Sequence, residues 1–435
     1  MMEQAVDSVS EDGIGCTSQL EHALHVESQA MCLEMMRELV TSESSLRDDY
    51  AREAAERNGG RHEKHVFCLF GDLGPIPRTY YWKKESVEGN VVKTGHYPWD
   101  ERMGLLRQYT PALVGEVLRL SAIHNYEEAS AEFSRTHGFS LSADAIRDIA
   151  LDSAEDAARF HALSESVEED MRQNLVYVLG DGTGISMFKR HLEGVRGKNG
   201  EAKTREVKLA AFFTGRMRFG KPWRNEDSTT YVATTARWED FGRMARREFD
   251  RRFPHKPVTT VFLTDGGKWL RSVHDNFFPF AVMILDLFHA LEHLREIMKL
   301  LGLKEDTDAW RDTFRKWRRS IRDGKIKSVI RKIRSMETAK NRDAVEKKLN
   351  YYIENMDRMH YDEYTDNRWF VGSGVVESGC KCVVQQRLDL SGMHWSVKGA
   401  EAVLPIRSLY KSGRLDEYLN WRVRNLDQVA FTRAA

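Results

Sequence analysis

The pattern of apolar and polar positions predicts a mixed α/β sheet in the central part of the chain. Five runs are continuously apolar or rich in β-branched residues, as buried strands are, and they cover residues 175–179, 206–213, 229–234, 258–263 and 281–285. Between the third and fourth runs, residues 238–252 repeat apolar positions with the period of an amphipathic helix. Three consecutive strands, a helix, and then strands that alternate with helices are typical of a mixed α/β fold.

The segment before this core predicts a helical start and a small β unit. Residues 1–57 are polar and helical in pattern, and we expect loosely ordered residues before the helix. The apolar positions of that helix are Leu33, Met36, Leu39 and Val40. Two β-rich runs at 66–70 and 78–82 surround a stretch with Gly and Pro, which predicts a small β unit such as a hairpin.

From residue 111 the pattern becomes helical up to the first core strand. A predicted helix over 125–136 is broken by Gly138, and a second helix opens at 140–142, which gives the outline of a helix-turn-helix. An ordinary helical hairpin is an equally good interpretation of this pair. A charged helix over 153–174 follows it, and beyond the core, residues 287–370 are almost wholly helical and charged.

These patterns divide the chain into six regions. In chain order they are an acidic helical head (1–60), a small β-rich unit (61–110), a helical, helix-turn-helix-like region (111–172), the first part of the α/β core (173–290), a basic helical insertion (291–370), and the last part of the core with C-terminal helices (371–435).

The charge of the chain is uneven, although its total is zero. The 435 residues include 66 Lys and Arg and 66 Asp and Glu. Residues 1–57 carry 13 acids and 4 bases, a net charge of −9, whereas residues 311–348 carry 15 bases and 5 acids, a net charge of +10. This asymmetry indicates a polyanionic partner, with a solvated helical face as the alternative. The expected phosphate contacts are Arg311, Arg315, Lys316, Arg318, Arg319, Arg322, Lys325, Lys327, Arg331, Lys332 and Arg334.

Composition favours a cytoplasmic protein without a membrane span. The mean hydropathy is −0.55, and no apolar run approaches the ~18 residues that a membrane-spanning helix needs. The first twenty residues carry acids where a signal peptide has lysines, so we expect no secretion signal. Five cysteines are too few and too unevenly placed for a disulfide framework, which fits a reducing compartment.

Three aspartates stand at the ends of apolar runs, where ligand sites form in open α/β sheets. They are Asp181, Asp265 and Asp286. Carboxylates on neighbouring strand ends can converge, and paired carboxylates suit Mg²⁺ or Mn²⁺ ions that activate water for phosphodiester chemistry. Aspartates at such positions are also common as helix caps, which is the favoured interpretation of Asp286. Asp181 and Asp265 are each followed by glycine, in the motifs DGTG and DGG. Glycine has no side chain, so it leaves room for a metal ion or a phosphate.

Two further motifs follow the third aspartate. His289, Glu292 and His293 match H-x-x-E-H, a zinc peptidase pattern, but it fixes only three positions and nothing else in the sequence supports a peptidase. Glu377 follows a glycine-rich turn, on the first turns of a predicted helix. It is either a carboxylate placed favourably near a helix N-terminus or a third metal-organising acid that returns to the site after the helical insertion.

Taken together, these motifs resemble the ISKra-type transposases, bacterial insertion-sequence enzymes of the DDE class that are related to the Mutator-like group. The resemblance spans residues 110–421, and its motifs occur in order: DGTG at Asp181, REVKLAAFFT from Arg205, DSTTYV from Asp227, TDGG at Asp265, DLFHALEHL from Asp286, VGSGVVESGCK around Glu377, and then RLDLSGMHWSVKGAEAVLPIR. One departure lies at residues 81–109, which contain no cysteine, whereas related sequences often have a zinc-knuckle-like segment there.

The resemblance implies an RNase H-like catalytic core interrupted by a helical insertion. It implies that Asp181, Asp265 and Glu377 are the catalytic and metal-binding triad, holding two Mg²⁺ ions for which Mn²⁺ can substitute. Asp286 and His289 match the D-x-x-H element of the family, with a supporting role in positioning DNA or the scissile phosphate.

The resemblance also implies a reaction and its partners. Enzymes of this kind cut DNA at the ends of a mobile element and join the 3′ hydroxyl to a target by in-line displacement. We expect double-stranded DNA as partner, a homodimer or higher assembly on DNA, and association with the bacterial nucleoid. Lys381 and Arg387, which follow Glu377, complete the expected DNA contacts. Two other functions remain open, a nuclease that hydrolyses without strand transfer and a transposase-derived DNA-binding protein.

Overall fold

The computed structural model describes residues 15–47, 50–87, 90–163, 175–197, 200–219, 221–254, 259–372 and 374–425. The chain divides into two units: residues up to Phe160 together with those from Arg414 form the first, and His161–Gly413 form the second. The strands are β1 (Arg57–Cys68), β2 (Gly71–Val87), β3 (Asn90–His96), β4 (Leu175–Ser186), β5 (Arg196–Gly197), β6 (Gly200–Glu201), β7 (Thr204–Arg218), β8 (Lys221–Arg224), β9 (Thr230–Thr234), β10 (Thr259–Thr264) and β11 (Val282–Leu285).

The α-helices are α1 (Gly15–Thr41), α2 (Glu43–Leu46), α3 (Pro98–Arg102), α4 (Pro111–Ile123), α5 (Tyr126–His137), α6 (Ala143–Leu163), α7 (Trp238–Arg252), α8 (Lys268–Phe277), α9 (Leu287–Leu300), α10 (Asp308–Arg322), α11 (Ile326–Arg334), α12 (Arg342–Asn355), α13 (Tyr361–Asp366), α14 (Gly374–Gly379), α15 (Gln386–Leu388), α16 (Val397–Lys411) and α17 (Leu415–Arg424). A π-helical turn, Cys380–Gln385, joins α14 to α15.

In the first unit, β1, β2 and β3 form an antiparallel sheet with β2 in the middle. The predicted β unit is therefore larger than a hairpin. Its third strand has few apolar residues, and Val91 in it is 71% exposed, so the hydrophobic pattern gave no signal for a strand. Helix α1 packs on this sheet through Val40, whereas Leu39, from the same predicted apolar set, is 66% exposed. The residues predicted to be loosely ordered before this helix lie outside the described residues.

The predicted helix pair is also part of the first unit. Helix α5 begins after Asn125, whose side chain caps its first turn, and it ends at Gly138, which has a φ of 70°. A positive φ favours glycine, so the break in the pattern is a left-handed helix end. Helix α6 is continuous, and it therefore joins the second helix of the pair to the charged helix that the sequence places after it. The predicted end of that charged helix, residues 164–174, lies outside the described residues.

The last helix belongs to the first unit, whereas the sequence-based division groups the C-terminal helices with the last part of the core. Helix α17 packs on α4 and α6. Arg422 of α17 and Asp156 of α6 form a buried ion pair with an N–O distance of 3.4 Å, which a pattern of hydrophobicity does not reveal.

The second unit is built on a six-stranded mixed sheet in the order β11-β10-β4-β7-β8, with β9 also paired to β7. Strands β4, β10 and β11 are parallel to one another, and β7 is antiparallel to β4, β8 and β9. The prediction of a mixed α/β sheet is confirmed, with β8 as an additional strand. Helices α7 and α8 cover one face, where the core includes Val178, Phe212, Phe241, Phe262 and Phe278.

Strand β4 is longer than its apolar run predicts. The pattern places Asp181 directly after the strand, but β4 continues to Ser186 because β7 pairs with it along almost its whole length. On the other side of β4, β10 ends at Thr264, which pairs with Gly180. Asp181 therefore lies inside a strand, at the level where the parallel neighbour of that strand stops.

Helices α9 to α13 form the helical segment predicted over 287–370. Helices α10 and α11 bury one apolar stripe, which includes Trp317, Ile321, Val329 and Ile333. The chain then returns to the sheet at α14, which packs on β4 and β7. This return places α14 against the strand that carries Asp181, although the two are far apart in sequence.

Candidate active site at the strand ends

Three aspartates form one row across the parallel strands of the second unit. Thr264 of β10 pairs with Gly180 of β4 and with Leu285 of β11. The next residue on each strand is an aspartate, so Asp181, Asp265 and Asp286 occupy equivalent positions on three adjacent strands. Ligand sites of open α/β sheets form at this edge.

Asp181 is partly buried, and both of its carboxylate oxygens have a donor. Its Oδ1 accepts a hydrogen bond from the backbone N–H of Gly182 at 2.7 Å, and its Oδ2 accepts one from the Cys380 thiol at 3.4 Å. Burial raises the pKa of Asp181 above its ordinary value, and the negative charges of Asp265 and Glu377 raise it further, against the two hydrogen bonds. The charges of Asp265 and Glu377 thus both act on the Asp181 carboxylate, and repulsion of this kind is what a bound cation relieves.

Asp265 is held by the turn that follows its strand. Its Oδ1 accepts a hydrogen bond from the backbone N–H of Gly267 at 2.9 Å, and its backbone carbonyl accepts one from the Tyr351 hydroxyl at 2.8 Å. Between them, Gly266 has a φ of 95°, and a Cβ there would lie 3.0 Å from the Tyr351 ring. The glycines that the sequence suggested as room for a ligand therefore serve first as backbone donors and as a tight turn.

Glu377 reaches this edge because α14 approaches the sheet closely. A Cβ at Gly379 would lie 2.9 Å from a methyl group of Leu209 and 3.0 Å from the ring of Tyr231, so a larger residue would separate helix and sheet. The π-helical turn begins directly after Gly379, and turns of this kind are frequent at functional sites. Glu377 itself is exposed, and its charge contributes to the raised pKa of Asp181.

The donor chemistry of these three acids fits hard divalent cations, since carboxylate oxygens are the preferred ligands of Mg²⁺. Their positions do not form a closed cage. Among the described residues, no group of three or more His, Cys, Asp and Glu side chains is gathered tightly enough to hold a metal ion. Asp181 lies within β4 and Asp265 directly follows β10, whereas Glu377 is on an exposed helical turn.

Asp286, the third aspartate of the row, is a helix cap, as its sequence context indicates. It is fully buried, and its carboxylate accepts a hydrogen bond from the backbone N–H of His289 at 2.8 Å. His289 is on the first turn of α9, partly exposed, with its Nδ1 3.4 Å from Glu292. Of the two residues matched to the D-x-x-H element, only His289 is accessible.

The H-x-x-E-H pattern is not assembled as a zinc site among the described residues. The His293 ring stacks on Tyr351, with 3.8 Å between ring centroids and an interplanar angle of 13°. Burial, together with the positive charges of His289 and Lys348, lowers the pKa of His293 to about 4. His293 is therefore a neutral packing partner of Tyr351, the residue that anchors Asp265.

The predicted phosphate contacts of α10 and α11 are all exposed, as a DNA-facing surface requires. Several of them also pair with acids of their own helices, for example Arg315 with Asp312 at 2.9 Å. Lys381 is exposed too. Arg387 is different, because its side chain is fully buried with its guanidinium 5.3 Å from the centroid of the Trp395 ring. The sequence-based assignment of Arg387 as a DNA contact is therefore wrong for this structure.

Two residues of the site were missed by sequence reasoning. Cys380 is one helical turn after Glu377, and this i, i+3 spacing was a usable signal. Burial raises the pKa of its thiol, and the Asp181 charge raises it further, so the thiol remains a donor to that carboxylate. Tyr351 lies 86 residues from Asp265 within the helical insertion, where no local pattern distinguishes it from a core tyrosine.

The fold and this edge define an α/β protein with carboxylates gathered at the ends of parallel strands. The chain belongs to the uncharacterised protein family UPF0236, whose model matches residues 18–425. Among solved structures, it is similar to the Drosophila P element transposase strand transfer complex, with 9% sequence identity and a TM-score of 0.25, over 74% of this chain and 82% of that chain. No curated protein matches the sequence. Within the described ranges, every helix is too short or too polar to cross a membrane.

Proposed function

We propose that the protein is a DNA transposase of the ISKra type, which uses Asp181, Asp265 and Glu377 for metal-dependent cleavage and joining of DNA. The observation that carries the proposal is the register that aligns Asp181 with Asp265 at the ends of adjacent parallel strands. The helix that carries Glu377 packs on the same sheet, and the charge of Glu377 acts on Asp181.

The strand order supports an RNase H-like core for the second unit. If strands β4, β7, β9, β10 and β11 are numbered 1 to 5 in order of sequence, they lie in the sheet as 3-2-1-4-5, and only the second is antiparallel to the others. That arrangement is the one expected of an RNase H-like sheet. The helical insertion falls between the last strand and the helix with Glu377, as the resemblance to ISKra-type transposases implies.

Asp181, Asp265 and Glu377 would hold two Mg²⁺ ions, or Mn²⁺ in their place. Such ions would supply activation of the attacking water or 3′ hydroxyl and stabilisation of the leaving oxygen. The chain supplies the geometry for this. Gly182 and Gly267 fix one oxygen of each aspartate, and Tyr351 fixes the backbone of Asp265.

The exposed basic face of α10 and α11 would bind the DNA backbone without reading its sequence. Arg318, Arg331 and Lys332 are among the predicted contacts that form no ion pair with any described residue, so they are available for phosphate contacts. Replacing all three by Gln should flatten the dependence of log affinity on log salt concentration, because each lost phosphate contact lowers the slope by about 0.9. An unchanged slope would contradict a role for this face.

Recognition of element ends would then fall to the α5–α6 pair in the first unit. Its exposed residues could read the grooves of DNA in the manner of a helix-turn-helix, and two copies of the chain would serve the two ends of an element. A footprint on element-end DNA that is lost when the exposed face of α6 is altered supports this division of roles.

The decisive experiment offers the protein a labelled, pre-cut element end with a supercoiled target plasmid, in Mg²⁺, Mn²⁺ or EDTA. A transposase joins the labelled 3′ end to the plasmid in either metal, and Asp181→Ala abolishes joining. Hydrolysis without joining would indicate a nuclease on the same site. Binding without either reaction would indicate a DNA-binding protein, and joining by Asp181→Ala would refute the assigned site.

A further inference from the structure

An aromatic pocket lies next to the candidate active site in the second unit. It is an open cavity of ≈ 550 Å³, within the ~300–1,000 Å³ range of small-ligand sites. None of the described residues that line it is acidic. Its principal side chains are those of Pro222, Phe288, Arg368, Trp369, Phe370 and Val375.

The pocket is joined to the catalytic edge from two directions. Phe288 is the second residue of α9, between Asp286 and His289, and it is 59% exposed. On the other side, Gly374 and Val375 line the pocket and begin the helix that carries Glu377. A hydrogen bond of 2.8 Å from the backbone N–H of Leu287 to the carbonyl of Val371 ties these two walls together.

Two of the rings that line the pocket are packed against buried tyrosines. Phe370 packs against the Tyr177 ring with 5.2 Å between centroids, and its backbone N–H donates to the Tyr177 hydroxyl at 3.1 Å. Trp369 stacks on Tyr364 with an interplanar angle of 25°. Gly372 allows the backbone to approach the exposed ring, since a Cβ there would lie 2.4 Å from Phe288. Trp369 and Phe370 are therefore positioned by the core, beside the exposed ring of Phe288.

A cationic side chain accompanies the aromatic ones. Arg368 is exposed at the rim, with a φ of 60°, and it forms no ion pair with any described residue. Exposed aromatic rings next to an arginine are the composition of surfaces that bind single-stranded nucleic acid.

We propose that this aromatic pocket binds an unpaired nucleobase of the DNA at the carboxylate site. A base has two apolar faces that stack on aromatic rings, and an adjoining phosphate matches Arg368 at the rim. The proposal rests on the proposed function and deepens it, because it predicts that DNA is unpaired where it enters the active site. An apolar peptide would gain little from Arg368.

The test compares the binding of a fluorescently labelled blunt duplex with that of the same duplex carrying a short single-stranded flap. Binding is measured in EDTA, so that no cleavage occurs. The wild type should bind the flap duplex more tightly, and Phe288→Ala should weaken flap binding by about tenfold while leaving the blunt duplex nearly unaffected. Phe288 is exposed, so its loss leaves the fold intact.

Phe280→Ala is the matched control, since Phe280 is an equally accessible phenylalanine (50% exposed) at the opposite end of β11. It should bind both DNAs as the wild type does. Arg368→Asn is a second variant, because asparagine tolerates the positive φ, and it should weaken flap binding by about threefold, less at high salt.

Equal affinity of the wild type for the two DNAs would refute the base-binding role of the pocket while leaving the proposed function intact. The same conclusion would follow if Phe288→Ala weakened binding of the blunt and the flap duplex equally, or if Phe280→Ala weakened flap binding as much as Phe288→Ala does. A flap preference that depends on Phe288, in a protein that neither cuts nor joins DNA, would support the pocket and refute the proposed reaction.

Discussion

The β4–β10 edge and the end of β11 show how one sequence pattern leads to two different structures. In each place an apolar strand runs to an aspartate, and the three aspartates occupy one row of the sheet. Asp181 and Asp265 are partly exposed and held by the N–H groups of glycines, whereas Asp286 is fully buried as the cap of α9. The segment after each aspartate decides whether its carboxylate is accessible. A following glycine leaves the carboxylate accessible, whereas a following helix uses it as a buried N-cap.

The largest expected effect separates the two kinds of aspartate by activity. Asp181→Asn should reduce joining of a pre-cut DNA end by about a thousandfold or more, because a neutral amide is a poor ligand for Mg²⁺ and several kcal/mol of charge stabilisation are lost. Asp286→Asn should retain activity within about fivefold, since asparagine caps helices as well as aspartate does. Rates measured under the same conditions check both. Comparable losses of joining rate in the two variants would contradict the distinction between an active-site aspartate and a helix cap.

The close approach of α14 to the sheet gives a second test of the carboxylate edge. Gly379→Ala should lower the free energy of unfolding by about 1–3 kcal/mol, because its Cβ collides with Leu209 and Tyr231, and it should impair joining by displacing Glu377. Gly374→Ala is the control on the same helix, with nothing within 4 Å of the added Cβ. The free energy of unfolding of both variants is measured in urea. Equal values would show that the close contact of residue 379 with Leu209 and Tyr231 does not affect stability.

Stability distinguishes the cap from the active-site acids. Asp286→Ala should lower the free energy of unfolding by about 0.5–2 kcal/mol, the usual contribution of an N-cap side chain. Asp286→Asn should recover most of this loss, because its amide oxygen can accept the same hydrogen bond from His289. Thermal unfolding of the two variants measures the difference. If the asparagine variant is as unstable as the alanine variant, the charge of Asp286 and not its capping bond matters.

The smallest effect is a pH dependence confined to the β4–β10 edge. The pKa of Asp181 is raised in the folded chain above its ordinary value of 3.8, so its ionisation disfavours folding. Stability from this group is present below pH about 4 and is lost as the pH rises through the folded pKa. In EDTA, Asp181→Asn should therefore unfold at a higher temperature than the wild type at pH 7, with the gap closing towards pH 4. A gap that widens on acidification would reverse the sign of this argument.

Hydrophobic periodicity was enough to predict the mixed sheet, α7 and the helical segment after β11, because each of these buries a regular apolar face. Periodicity failed to predict strands in polar segments, which become strands only because a neighbouring strand pairs with them. Strand β4 continues through DGTG because β7 supplies a partner, and β3 forms from an exposed sequence because β2 is long enough to pair with it. The same holds for the site. Local sequence motifs indicated Asp181, Asp265 and Glu377, whereas no local motif indicated Tyr351 or the aromatic pocket.

The sequence by itself determined the apolar strands of the central sheet, the acids that follow their apolar runs and the basic helices, because those depend on periodicity and on residue type. Only the tertiary structure decided how these acids are placed. Register across β4, β10 and β11 aligned three aspartates, the glycines after two of them kept those two accessible, and the packing of α14 at Gly379 brought Glu377 to the same edge. It also buried Arg387 and capped α9 with Asp286. Distances between residues far apart in the chain are set by side-chain packing, and no local pattern records them.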